Sequence, residues 1–386
     1  MTLSESFNID PNAPEITAHN AEVEAVTAAF AANKPERVPV VLSEWRGQHG
    51  FYAQSVGLDY RDYYTNPEIM VETQLESARY KREFAFTDTI LGVPPREPWN
   101  VGVDLWPVAG PGAFGCPLQY FADDIIANKP LLLSKDECDA MEMPDFAMGG
   151  ILKTVNEFYN YMVENYQGKL TYLGKTVTDI GHGSGTNGFF SLALDLRGQD
   201  IMADMYDDPA FVHRFLNKLA DWCEDLCRFY APDGQKDAPF GISDHGTEML
   251  SAELYAEFIL PVLLKKNAAY METKFSFHHC GRGQQLFPVI IKNFRLSEVN
   301  ALTFPLLNLE CIREDIGEDV MMTVLLDNGI TTFGTPDDVR YAVKSMLTPR
   351  LKGRGGLRVM AGDMLRSTNT ENMYAMYDAV KEFGRY

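Results

Sequence analysis

Short apolar runs alternate with longer amphipathic stretches along this chain. The runs fall at residues 38–43, 86–91, 170–177, 240–243, 275–279, 300–304, 320–326 and 357–361, and each reads as a strand. Between them, helical spacing covers residues 66–82, 150–166, 189–196, 208–230, 251–272, 335–347 and 370–383. Start signals support several of these helices: Asn66-Pro67-Glu68, Asp208-Pro209, Ser251, Thr335-Pro336-Asp337-Asp338 and Thr370. A further amphipathic helix, at residues 12–33, precedes the first strand and ends before Pro35. Residues 94–146 are rich in Pro and Gly and read as a long irregular insertion after strand two. Eight strands separated by helices imply parallel βαβ units and an α/β (β/α)8 TIM-type barrel, although a doubly wound sheet has a similar rhythm. The expected layout is one domain over residues 1–386, with 1–36 as an N-terminal helical extension.

The fifth run ends in His278-His279-Cys280-Gly281-Arg282-Gly283. Strand alternation sends His278 and Cys280 to one face and His279 to the other. An imidazole and a thiolate on one side of a strand end make half of a zinc site, whereas a buried His and Cys are also ordinary core residues. A catalytic zinc keeps three protein ligands and one open position, and Asp244, His245, Glu248, Glu257 and Asp363 are the candidates for the third. In a barrel, strand ends converge on one mouth. That mouth would gather Glu44, Asp88, His182, Asp244, His245, Asp327, Asn328 and Asp363 beside the His-x-Cys pair. Of these, Glu44, His182, Asp244, His245 and Asp327 are the acid–base candidates, and His278, Cys280, Glu257 and Asp363 the metal candidates.

The formal net charge of -20 argues against a nucleic-acid partner, which needs basic patches. Six cysteines in 386 residues form no disulfide pattern, and Cys223 and Cys227, one helical turn apart, read as helix packing. The N-terminus lacks the basic and apolar regions of a signal peptide, and no apolar run is long enough to span a membrane, so a cytoplasmic location is expected. The glycine-dense turn at residues 179–186 has the composition of an anion cradle but matches neither the P-loop nor the dinucleotide fingerprint. Trp45, Phe51, Tyr52, Tyr60, Tyr63 and Tyr64 form an aromatic-rich N-terminal region suited either to clamping an aromatic ligand or to packing.

Ordered blocks along nearly the whole chain carry a family resemblance. They include Asn66-Pro67-Glu68, Leu196-Arg197-Gly198, Asp207-Asp208-Pro209, Leu260-Pro261 with Lys265, His278-His279-Cys280-Gly281, Gly334-Thr335-Pro336-Asp337-Asp338-Val339 and Asn369-Thr370-Glu371-Asn372-Met373. With these the chain resembles the uroporphyrinogen decarboxylase superfamily, and within it the cobalamin-dependent methyltransferases. The resemblance implies a (β/α)8 barrel, zinc, and a cobalamin carried by a partner corrinoid protein. It also implies a small-molecule methyl donor, with a methoxylated aromatic as the leading expectation and a homodimer compatible with it. The arginine-rich N-terminal signature of true decarboxylases is reduced to Arg46 within residues 43–50. The later zinc cysteine of methyltransferase relatives falls on Ala361-Gly362-Asp363 here, so Asp363 or another carboxylate would replace it. Aryl-ether demethylases use carboxylates with a histidine, a version that Glu257, His278 and Asp244 would fit. The alternatives are a coenzyme M-type methylcobalamin:thiol methyltransferase and a decarboxylase.

Overall fold

The computed structural model describes residues 3–42, 49–183, 185–232, 235–361 and 367–386. The chain is α/β, and its largest sheet is parallel throughout. Five strands, Val40–Leu42, Leu357–Ala361, Met321–Leu326, Leu296–Phe304 and Phe275–His278, lie side by side in that order. Their apolar residues explain the arrangement. Val40, Val299, Leu302, Met322, Val324, Leu357, Val359 and Ala361 are all buried, as expected when helices cover a parallel sheet. The register places Leu42 opposite Ala361, Leu326 opposite Phe304 and His278 opposite Asn300, which aligns the C-terminal ends of the strands along one rim.

The helices follow the expected start signals. Asn66 caps Pro67–Tyr80, Asp208 caps Pro209–Tyr230, and Thr335 with Asp338 forms a capping box on Pro336–Met346. The last helix, Thr370–Phe383, is capped by Asn369 rather than Thr370.

Three strand expectations are corrected. Residues 170–177 form an antiparallel hairpin, Thr171–Tyr172 with Lys175–Thr176. The positive φ of Leu173 and Gly174, 47° and 80°, suits a two-residue hairpin turn. The parallel strand of that region is Ile180–Gly181, paired with Val101–Gly102. Residues 86–91 and 240–243 are not regular strands, yet each abuts an edge of the main sheet. Asp88 N donates to Val40 O at 2.8 Å, and His278 N donates to Ser243 Oγ at 2.9 Å. The insertion at 94–146 is not structureless: it holds the Trp106–Ala113 helix, a short hairpin and the Lys135–Ala140 helix. The expected single helix over 251–272 breaks into Ala252–Leu254, a π turn Tyr255–Ile259 and Leu260–Lys266. Pro261 has no N–H for the residue 257 carbonyl, and the wider π turn absorbs the fault.

One buried ion pair ties the N-terminal helix to this frame. Arg37 grips Asp88 with two bonds, of 2.6 and 2.9 Å, and also reaches Glu22 on the Pro14–Ala31 helix at 2.9 Å. Tyr377 of the last helix donates to Asp88 at 2.9 Å, and Val40 N donates to it at 2.6 Å. Asp88 is therefore a structural joint rather than a mouth residue. Its side chain is only 3% exposed and that of Arg37 7%. Asp88→Asn leaves the buried guanidinium with the partly exposed Glu22 as its remaining charged partner, and urea denaturation is expected to show a loss of about 3 kcal/mol.

Candidate functional site

The rim at the end of the Phe275–His278 strand carries the chemistry. His245, His278 and Cys280 place their ligand atoms within 4.8 Å of one another. Cys280 Sγ lies 3.1 Å from His245 Nδ1, and the two imidazole centroids are 5.2 Å apart. Both imidazoles are half-buried and the thiol is exposed, so the group opens to solvent.

Strand alternation sets the first two ligands. His279 points the other way, buried against Phe277 and Phe287, with its Nε2 accepting from Gly283 N at 3.1 Å. Burial first, then the neighbouring imidazoles of His278 and His245, push its pKa down to about 4. His278 is oriented from its own sheet. Asn300, its cross-strand partner, presents Oδ1 at 2.7 Å from His278 Nδ1. A carbonyl oxygen only accepts, so Nδ1 carries the proton and Nε2 carries the lone pair.

His245 reaches the rim by a different route. The preceding residue, Asp244, turns its carboxylate onto the start of the Phe189–Arg197 helix. It accepts from Phe190 N at 2.7 Å, Ser191 N at 3.1 Å, Ser191 Oγ at 2.7 Å and Gly246 N at 3.1 Å. The carboxylate thereby satisfies two N–H groups of the first helical turn, Phe190 N and Ser191 N, that have no intrahelical partner. Burial raises the Asp244 carboxyl to about 6, against the pull of those bonds. Gly188 makes room: a Cβ there would lie 2.1 Å from Asp244 Cγ. Burial, and then the charge of His278, lower the pKa of His245, while Glu248 acts the opposite way. Glu248 accepts from Arg282 N at 2.7 Å, and it packs so closely over the turn that a Cβ on Gly281 would meet its Oε2 at 1.2 Å.

The donor set suits a zinc ion. A tetrahedral Zn²⁺ with about 2.3 Å to sulfur and about 2.05 Å to nitrogen separates those ligands by about 3.6 Å. Among the described residues three ligands gather, the number that a catalytic zinc site takes from its protein.

The other predicted residues scatter. Asp244, expected among the acid–base groups, accepts from the start of the Phe189–Arg197 helix. Asp327 caps the Asn328–Phe333 helix, accepting from Gly329 N at 2.9 Å. His182 stacks between Tyr159 and Tyr230, at 4.5 and 3.8 Å, with Nε2 3.1 Å from Asn156 Oδ1, away from the cluster. Glu257 is exposed on the π turn and outside the donor group. Glu44, Trp45 and Asp363 lie outside the described residues. Phe51, Tyr52, Tyr60, Tyr63 and Tyr64 are all at most 5% exposed, so they pack rather than clamp. In the 179–186 turn, Gly183 (φ 65°) allows a close chain approach, since a Cβ there would collide with Val103 O. Asn300 and Ser243 were not singled out from the sequence; the cross-strand position of Asn300 becomes readable only with the register.

The fold and this donor set describe an α/β protein with a candidate metal centre on the C-terminal rim of parallel strands. The chain belongs to the uroporphyrinogen decarboxylase (URO-D) family, whose model matches residues 103–383. A methyltransferase from Methanosarcina mazei has a similar structure, with a TM-score of 0.59 and 17% identity over 94% of this chain and 98% of that one. No curated protein sequence matches the chain. Among the described residues, no helix is long and apolar enough to cross a membrane.

Asp244→Asn keeps the volume but turns an amide donor toward helix N–H groups. A loss of about 1–3 kcal/mol in chemical denaturation is expected, with metal affinity falling alongside as His245 loses its anchor. His182 gives a pH signature. Its pKa is lowered from 6.5 to about 4, chiefly by burial, so the unfolded chain takes up a proton first as pH falls. Its share of stability is complete above about 6.5 and declines toward pH 4; His182→Gln should flatten that part of a thermal-melt pH profile.

Proposed function

We propose that this protein is a methyltransferase that removes a methyl group from a small methylated substrate and passes it to a cobalamin carried by a partner corrinoid protein. The observation that carries the reading is the convergence of His245, His278 and Cys280 on one open rim. Membership of the URO-D family and the structural likeness to a methyltransferase support it. In this reading the whole chain is one barrel domain. Residues 86–91 and 240–243 continue the ring on either side of the five-stranded sheet, and residues 1–36 are its helical extension.

His245, His278 and Cys280 would hold Zn²⁺, which supplies Lewis acidity toward the heteroatom that loses the methyl group. The protein's own contribution is orientation. Asn300 holds the proton on His278 Nδ1 and so directs Nε2 toward the cluster. Asp244 fixes the backbone before His245, and Glu248 braces the turn after Cys280. The departing heteroatom keeps the bonding electron pair and takes up a proton. A methoxylated aromatic is the proposed donor class, because an aryl oxygen is a poor leaving group unless activated.

Two measurements test this. Zinc titration should give one ion per chain. Cys280→Ser should abolish tight binding, and Asn300→Ala should weaken it by about 10–100-fold. Incubation with a reduced corrinoid protein and a panel of methoxylated aromatics should methylate the corrinoid. If no substrate does so, while a thiol such as coenzyme M is methylated from methylcobalamin, the direction of transfer is reversed and the proposal fails.

A further inference from the structure

The Phe275–His278 strand ends two residues before Cys280, and the thiol stands at the head of a turn over residues 280–283. Two side chains grip the backbone of that turn. Glu248 accepts from Arg282 N at 2.7 Å, and His279 Nε2 accepts from Gly283 N at 3.1 Å. Space is tight at both grips. A Cβ on Gly281 would meet Glu248 Oε2, and a Cβ on Gly283 would lie 2.8 Å from His279 Cε1.

His279 is the unexpected member, because it is 6% exposed among apolar neighbours. Phe277 stacks on its ring at 5.7 Å between centroids, and Phe287 meets it edge-on at 5.4 Å. A leucine would fill such a place without the desolvation cost of an imidazole. The polar ring is explained by where its bonds go. A backbone N–H only donates, so Nε2 keeps its lone pair, the ring is neutral and its one proton sits on Nδ1. Burial leads the fall of the His279 pKa to about 4, and a backbone bond with Gly281 acts the opposite way, as a carbonyl accepting the Nδ1 proton does. Both ring nitrogens are thus spent on the two glycines that follow Cys280. The residue before the thiol is locked in the core, its ring ties down the turn after the thiol, and Cys280 Sγ lies 3.1 Å from His245 Nδ1.

We propose that His279 is a positioning residue of the metal centre: through its bonds to the Gly281 and Gly283 backbone it closes the turn that presents Cys280 to His245 and His278. The inference rests on the reading of that cluster as a metal site and does not depend on methyl transfer. Titration of the full chain with Co²⁺, followed by the thiolate-to-cobalt charge-transfer absorption, tests it. His279→Leu keeps the apolar packing and loses both bonds. Its Co²⁺ affinity is expected to fall about 10–100-fold, the usual worth of a group that orients a ligand, with a weaker charge-transfer band per bound ion. His279→Gln places an amide oxygen within reach of Gly283 N and should recover most of the affinity and the band. His279→Asn, polar but too short to reach Gly283, should bind as poorly as His279→Leu, and it carries the comparison with His279→Gln if His279→Leu does not fold. A lowered melting temperature with Co²⁺ affinity and spectrum unchanged in His279→Leu, or equal affinities in His279→Gln and His279→Asn, would overturn the proposal and leave the metal centre standing. Failure of the unaltered chain to bind Co²⁺ would overturn both.

Discussion

The candidate metal centre depends on a carboxylate that is not a ligand. Asp244 neutralises the exposed N–H groups at the start of the Phe189–Arg197 helix and, through Gly246 N, folds the chain sharply just after itself. His245 stands in that fold, so the bonds that cap the start of the helix also hold the imidazole beside Cys280. Burial alone would favour a protonated Asp244, and four donors hold the opposite form in place. The arrangement tolerates little change around it. Gly188, at φ 112°, leaves no space for a side chain, and Ser191 Oγ bridges the carboxylate and Gly246 N. An acid at a strand end is easily taken for a catalytic group; here its chemistry is consumed in positioning its neighbour.

What the sequence disclosed follows from which residues obey a regular period. His278 and Cys280 share a face because a strand alternates, and the buried, opposed His279 confirms the phase. The helix starts at Asn66, Asp208 and Thr335 were legible because a cap is a local event. His245 was legible only as a residue near a strand end, because residues 240–244 lack regular strand geometry and are placed by contacts to distant helix N–H groups. Glu257 was misplaced because a π turn interrupts the helical period ahead of Pro261. The hairpin at 171–176 was read as one strand because its turn, Leu173-Gly174, puts a leucine at positive φ, where apolar composition hides the reversal. The aromatic cluster near the N-terminus was ambiguous in sequence, since packing and ligand clamping need the same residues.

The donor set, rather than the charge of the chain, selects what the rim can hold. Two imidazoles and a thiol favour a borderline-soft cation, and the overall negative charge of the chain also attracts one. Beyond a Debye length of about 8 Å at physiological salt that attraction is screened. At the strand end the choice of ion therefore falls to the ligand atoms, whose geometry Asn300 and Asp244 hold in place.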